Sequence, residues 1–135
     1  MSKAGSPSKR TSNSAHAFRQ QYLSAMATPD EFFAIDMRVG TVVHAEPFPE
    51  ARKPSIKLVI DFGPDIGEKR SSAQLTVHYT PDQLLGRQVV AAVNLGSRRI
   101  AGFMSEVLVL GGMPTPAEVV LLSLDQPVAN GTRIG

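Results

Sequence analysis

The sequence predicts an all-β fold, a five-stranded Greek-key barrel with a short helix between strands three and four and a short C-terminal β extension. Three observations carry this reading. Apolar residues alternate with polar ones over short runs, the period of a strand with one face in a core. Clusters of Gly, Pro, Asn and Asp punctuate those runs. A single helix-start signal falls among the strands, between the third and the fourth. The 135 residues suffice for one domain with one core.

The elements follow in order. Residues 1–27 read as a flexible basic extension and residues 28–135 as the barrel domain. Residues 1–14 are rich in Ser, Lys, Gly and Pro. Ser14 could cap a short helix whose stripe is Phe18, Tyr22 and Met26. Thr28-Pro29-Asp30-Glu31 is a capping box with proline at the first helical position, and it opens a short helical turn. Residues 36–45 alternate as the first strand, with Gly40 expected at a bend or bulge. Residues 46–54 carry three prolines together with Arg52 and Lys53, a stiff exposed loop. Ile56, Leu58, Ile60 and Phe62 form the buried face of strand two, and residues 68–77 strand three. Thr80-Pro81-Asp82-Gln83 repeats the capping box, and Gly86 sits where the helix should end. Residues 89–93 and 107–110 are strands four and five. They are joined by the loop 95–101, which carries Arg98 and Arg99. Residues 119–124 supply the extension. A single helix between strands three and four points to the OB-fold, whose ligands lie against strands two and three between the loops joining strands one to two and four to five. Here both of those loops are basic.

Charge is unevenly spread. The first 27 residues hold four basic residues and no acidic one, leaving ten basic against all twelve acidic in the rest, a balance of −2. A binding surface for anions on the barrel must therefore come from local clustering. No acidic residue stands between Arg99 and Glu106. With no cysteine there is neither a disulfide framework nor a thiolate metal site. His16, His44 and His78 lack ligand spacing, and Ser71-Ser72 has no base at a motif distance. Neither catalysis nor a cofactor nor a metal is expected. No apolar run approaches the ~20 residues needed to cross a bilayer, so membrane insertion is not expected and a cytoplasmic location is.

Several motifs resemble the tRNA-binding domain family. They are Asp36-Met37-Arg38-Val39-Gly40, Pro49 with Ala51 and Lys53, Tyr79-Thr80-Pro81-Asp82-Gln83-Leu84, Asn94-Leu95, and Gly102 with Ser105. Ile56 through Gly63, Ser71 through Thr76 and Arg98 through Phe103 are similar to its stand-alone CsaA-type members, described as protein-export chaperones. The resemblance spans residues 30–135. It implies a non-catalytic OB-fold homodimer that binds tRNA or another structured RNA and unfolded export precursors, or alternatively a purely RNA-binding module. By position, Asn94, Arg99 and Ser105 match family residues that contact RNA.

The residues supply candidates for both activities. Arg52, Lys53, Lys57, Arg98 and Arg99 could meet phosphates, while Asn94, Ser105 and Gln74 offer neutral donors and acceptors. Asn94 could instead cap its own turn, and Lys53 and Lys57 could be solvated charge. With no tryptophan, and only Phe48 and Phe103 near the groove, base stacking is scarce and shape recognition is expected. Residues 107–110 (Val107, Leu108, Val109 and Leu110) read as apolar on both faces, as do residues 89–93, so a cover is expected over the outer face, either a second subunit or the segment 119–124. With Phe103, residues 107–110 form a candidate surface for polypeptide or for a second subunit.

Overall fold

The computed structural model describes residues 15–17, 19–21 and 25–135 of the chain. The extension 1–14, with Ser14 as cap, and the stripe residues Phe18 and Tyr22 lie outside the described residues. Residues 15–17 and 19–21 are helical. The chain divides into two compact units, one ending at Ala34 and one running from Ile35 to Gly135. Helix α1, Pro29–Phe33, closes the first unit and carries the expected capping box. Thr28 N–H donates to Glu31 Oε1 at 2.7 Å, and Glu31 N–H donates to Thr28 Oγ1 at 3.1 Å. Among the described residues no helix is long and apolar enough to cross a membrane.

The second unit is built on a five-stranded antiparallel sheet. Its strands are β1 (Met37–Pro47), β2 (Ile56–Asp61), β3 (Glu68–Ala73), β4 (Gln88–Ala92) and β7 (Leu108–Val109), in the order β3-β2-β1-β4-β7. Two short ladders complete it, β5 (Arg98–Ile100) with β6 (Phe103–Ser105) and β8 (Gly111–Gly112) with β9 (Val120–Leu121). Helix α2, Pro81–Leu84, falls between β3 and β4, as the second capping box predicts; Thr80 N–H donates to Gln83 Oε1 at 2.9 Å. The result is an OB-fold barrel. Its core joins Ile56, Leu58, Ile60 and Phe62 with Val42, Leu75, Leu84 and Val89.

Closure comes from side chains. Along the seam between β3 and residues 105–107, Glu106 N–H donates to Arg70 O at 2.7 Å as a backbone bond. The other seam groups find side-chain partners. Arg70 N–H donates to Glu106 Oε1 (3.0 Å), Ser72 N–H to Ser105 Oγ (3.0 Å), and Ser71 Oγ–H to Val107 O (3.0 Å). These hydroxyls and this carboxylate replace ladder bonds that a regular strand pair would supply.

Several expectations are corrected. Gly40 does not mark the bulge: the register of β1 on β2 shifts between Val42 and His44. A Cβ at Gly40 would come within 2.6 Å of Ile60 and 2.7 Å of Phe62, so glycine is needed there for the core to pass. β3 ends at Ala73 rather than at 77, and Leu75 turns into the core. The loop 95–101 is not a plain loop, because Arg98 and Arg99 lie on the hairpin strand β5. Nor is 107–110 a continuous strand apolar outward. Val107 and Val109 point into the core and are not available to a partner, whereas Leu108 is 53% exposed. Val90 and Ala92 of β4 are already buried within the single chain.

Two outcomes follow for stability. Ser105→Ala leaves the Ser72 N–H without its acceptor and should cost about 1–3 kcal/mol, read as a lowered urea midpoint. The Arg70 backbone N–H holds the Glu106 carboxyl below the usual carboxylate range, and the Arg38 hydrogen bond does the same for Asp36. Both carboxyls bind protons more readily in the unfolded chain. Their stabilisation is therefore complete above about pH 5 and is lost as pH falls through the depressed folded values. The urea midpoint should fall as pH drops from about 5 to about 3, and the Asp36→Asn, Glu106→Gln pair should flatten that fall.

Candidate nucleic-acid interface

Three elements converge beside the seam. The loop 48–55 begins at Phe48, a residue only 3% exposed, and closes on itself through Phe48 N–H to Ser55 O (3.2 Å) and Ala51 N–H to Phe48 O (3.2 Å). Ser55 Oγ–H donates to Lys53 O at 2.9 Å, fixing the end of the basic turn. Opposite stands the β5–β6 hairpin, paired Arg98 to Ser105, Arg99 to Met104 and Ile100 to Phe103. Its two-residue turn, Ala101-Gly102, has φ of +46° and +82°. Positive φ at both positions matches the twist of a tight hairpin, and glycine is the residue that tolerates it without strain. Ala101 is the one non-glycine residue with positive φ among the described residues. Between loop and hairpin stand Ser72, near the end of β3, and Gln74, just past it.

Together these elements line an open groove of about 670 Å³. Arg52 and Lys53 stand on the loop and Arg98 and Arg99 on the hairpin, with Glu50 the acidic residue of the lining. Four cations against one carboxylate leave a local balance of +3 on a unit, Ile35–Gly135, whose basic and acidic residues balance to zero net charge overall. None of the four forms a salt bridge among the described residues. The Arg99 guanidinium donates to Gly102 O at 3.4 Å, which folds it along its own hairpin.

The remaining candidates fall elsewhere. Asn94 Oδ1 accepts the Asp36 N–H at 2.8 Å, tying the end of β4 to the start of the barrel. Ser105 Oγ is held by the seam. Lys57 does not line the groove; its ammonium lies over Phe48 and Phe103. Phe103 is half-buried against Phe48 with ring centroids 5.5 Å apart. Glu50, Ser55, Ser72 and Ile100 were missed as groove residues. For Ser72 a signal existed, because it sits on the outward phase of β3 opposite Lys57.

A second surface feature is apolar. The register places Gly111 opposite Leu121 and Gly112 opposite Val120, and Leu122 N–H donates to Leu110 O. Leu121 enters the core, so Val120 and Leu122 share the outward phase with Leu108 and Leu110. Leu108, Val120 and Leu122 are exposed.

Residues 37–133 match the family model described as "Putative tRNA binding domain". The crystal structure of the chaperone CsaA from Bacillus anthracis superposes with a TM-score of 0.78 at 54% sequence identity, covering 82% of this chain and 100% of that one. CsaA from Picrophilus torridus gives a TM-score of 0.74 at 44% identity, with coverages of 82% and 100%. Methionine–tRNA ligase of Bacillus subtilis is 34% identical over 108 residues, 79% of this chain but only 16% of the ligase.

The hairpin turn gives its own test. A Cβ at Gly102 meets nothing within 4 Å, so Gly102→Ala acts through backbone strain alone. It should cost about 1 kcal/mol, seen as faster amide exchange in β5 and β6 with the barrel strands unchanged. Ala101→Gly should exchange no faster than the unmodified protein.

Proposed function

The chain belongs to the tRNA-binding domain family, and on that premise we propose that it binds tRNA or another structured RNA through the groove between loop 48–55 and the β5–β6 hairpin, without catalysing a reaction. The observation that carries this reading is the convergence of Arg52, Lys53, Arg98 and Arg99, from segments far apart in sequence, on one groove with no salt-bridge partners among the described residues. Guanidinium and ammonium groups so arranged suit phosphate oxygens. Recognition is of shape rather than base sequence, because Phe48 is buried and Phe103 is covered by cations, which leaves no ring in the groove open for stacking.

A second activity has its own support. The likeness to CsaA chaperones and the outward apolar strip of Leu108, Leu110, Val120 and Leu122 favour a cytoplasmic homodimer that also holds unfolded export precursors. In this reading the strip is where two copies meet. Removing its exposed Leu108, Val120 and Leu122 from water would favour association.

Titration of bulk tRNA over a salt series tests the groove. Four phosphate contacts should give a slope of log affinity on log salt of roughly −3 to −4. Arg98→Ala with Arg99→Ala should reduce its magnitude by about 1.5–2 and weaken binding at every salt concentration. Suppression of aggregation of an unfolded precursor should depend little on salt and survive the arginine pair's removal. Loss of both activities together would show that the two surfaces are not separable. Leu108→Asp should sediment as monomer; an unchanged profile excludes the strip as the dimer contact.

A further inference from the structure

Lys57 stands on the outward phase of β2, level with Ser72 of the groove, and by charge alone would be counted as a fifth phosphate ligand. Its surroundings assign it another task. The ammonium lies 4.6 Å from the Phe48 ring centroid and 5.2 Å from that of Phe103. These rings belong to opposite walls. Phe48 begins the loop that carries Arg52 and Lys53, and Phe103 is on the strand paired with Arg98 and Arg99. The rings meet edge to face at 66°, and the Arg70 guanidinium lies 5.8 Å from the Phe103 centroid while it is held by Glu106.

We propose that Lys57 is a positioning residue, a cationic strut that clamps Phe48 to Phe103 and so fixes how far apart the two basic walls of the groove stand. The inference rests on the groove being the RNA site. A cation within about 6 Å of two ring faces is attracted by both quadrupoles at once, so its favourable position is between the walls rather than out in the groove, which it does not line. The walls need such a tie. A two-stranded hairpin of three residues a side is not stable alone, and loop 48–55 is secured internally by only two backbone bonds and one serine. The relative placement of their cations is therefore set by what joins them. Phosphate recognition by paired cations depends on that spacing.

The test is bulk tRNA affinity over a salt series for Lys57→Met, Phe103→Leu, the double variant, Lys57→Arg and the Arg98→Ala, Arg99→Ala pair, each checked for folding by its urea midpoint. Lys57→Met keeps the stem and loses the charge. It should bind about 3- to 5-fold more weakly with an unaltered salt slope. Phe103→Leu, which changes no charge, should weaken binding by a similar factor, and the double variant should be no worse than the weaker single. Lys57→Arg should stay within about twofold, because guanidinium also sits on aromatic faces. A slope shallower by about one charge in Lys57→Met would make Lys57 a direct phosphate ligand and overturn the proposal, as would wild-type affinity in Phe103→Leu. If the arginine pair loses nothing, the groove reading itself fails. If the pair weakens binding while Lys57→Met and Phe103→Leu do not, only the strut fails. A folding-independent check is the proton spectrum of the unmodified protein. The Lys57 ε-methylene should be shifted upfield by the rings, and an ordinary position for it would overturn the proposal.

Discussion

The seam between β3 and residues 105–107 is the constraint on which the rest depends. A five-stranded sheet buries its inner face only if its ends meet, and here the ends meet over three residues. One backbone bond, Glu106 to Arg70, is flanked by a serine, a second serine and a carboxylate that act as ladder partners. An unsatisfied peptide group at this closure would cost as much as several surface contacts contribute. The same three residues are the root of the β5–β6 hairpin, and Ser72 of the seam borders the groove. Closing the core and placing Arg98 and Arg99 are thus a single structural event.

Local patterning made most of the barrel legible. The alternation at Ile56–Asp61 and the capping boxes at Thr28 and Thr80 act within a few residues, and each formed where the residues indicated. The hairpin was hidden because its strands, Arg98–Ile100 and Phe103–Ser105, are three residues long, too short to show an alternation, and because its turn uses an alanine at positive φ where glycine or asparagine would signal a tight turn. The seam was hidden because its partners are 33 or 36 residues apart and are ordinary serines and a glutamate. At Gly40 the strand pattern signals a bend or bulge, whereas the bulge falls two residues on and the steric conflict with Ile60 and Phe62 is a property of the packed core and not of the strand. Of the candidate cations, loop position identified the four that share the groove. The sequence could not show that Lys57 is occupied by two rings.

The cations of the barrel fall into two populations. Arg38 is bound to Asp36 at 2.7 Å and to Gly131 O at 2.9 Å, Arg70 to Glu106, and Arg87 lies over Tyr79 at 5.2 Å. These hold chain segments together. Arg52, Lys53, Arg98 and Arg99 form no salt bridge among the described residues, and the Arg99 bond to Gly102 O stays within its own hairpin. A near-neutral barrel can therefore present a concentrated positive potential at one place, and a polyanion responds to that local field more than to net charge.

The hairpin that carries half of this potential contradicts its own local preferences. Ala101 holds a left-handed backbone that disfavours a side chain, and two strands of three residues do not fold unaided. The conformation persists because Phe103 is anchored on Phe48 and because Ser105 and Glu106 are fixed in the seam. Strain tolerated at a ligand-facing turn and compensated in the scaffold below is a pattern of sites whose geometry must be set before the ligand arrives. The arginines are held ready by interactions that themselves touch no ligand. A change in the seam or in the ring pair would therefore alter binding without removing any group that could meet a phosphate.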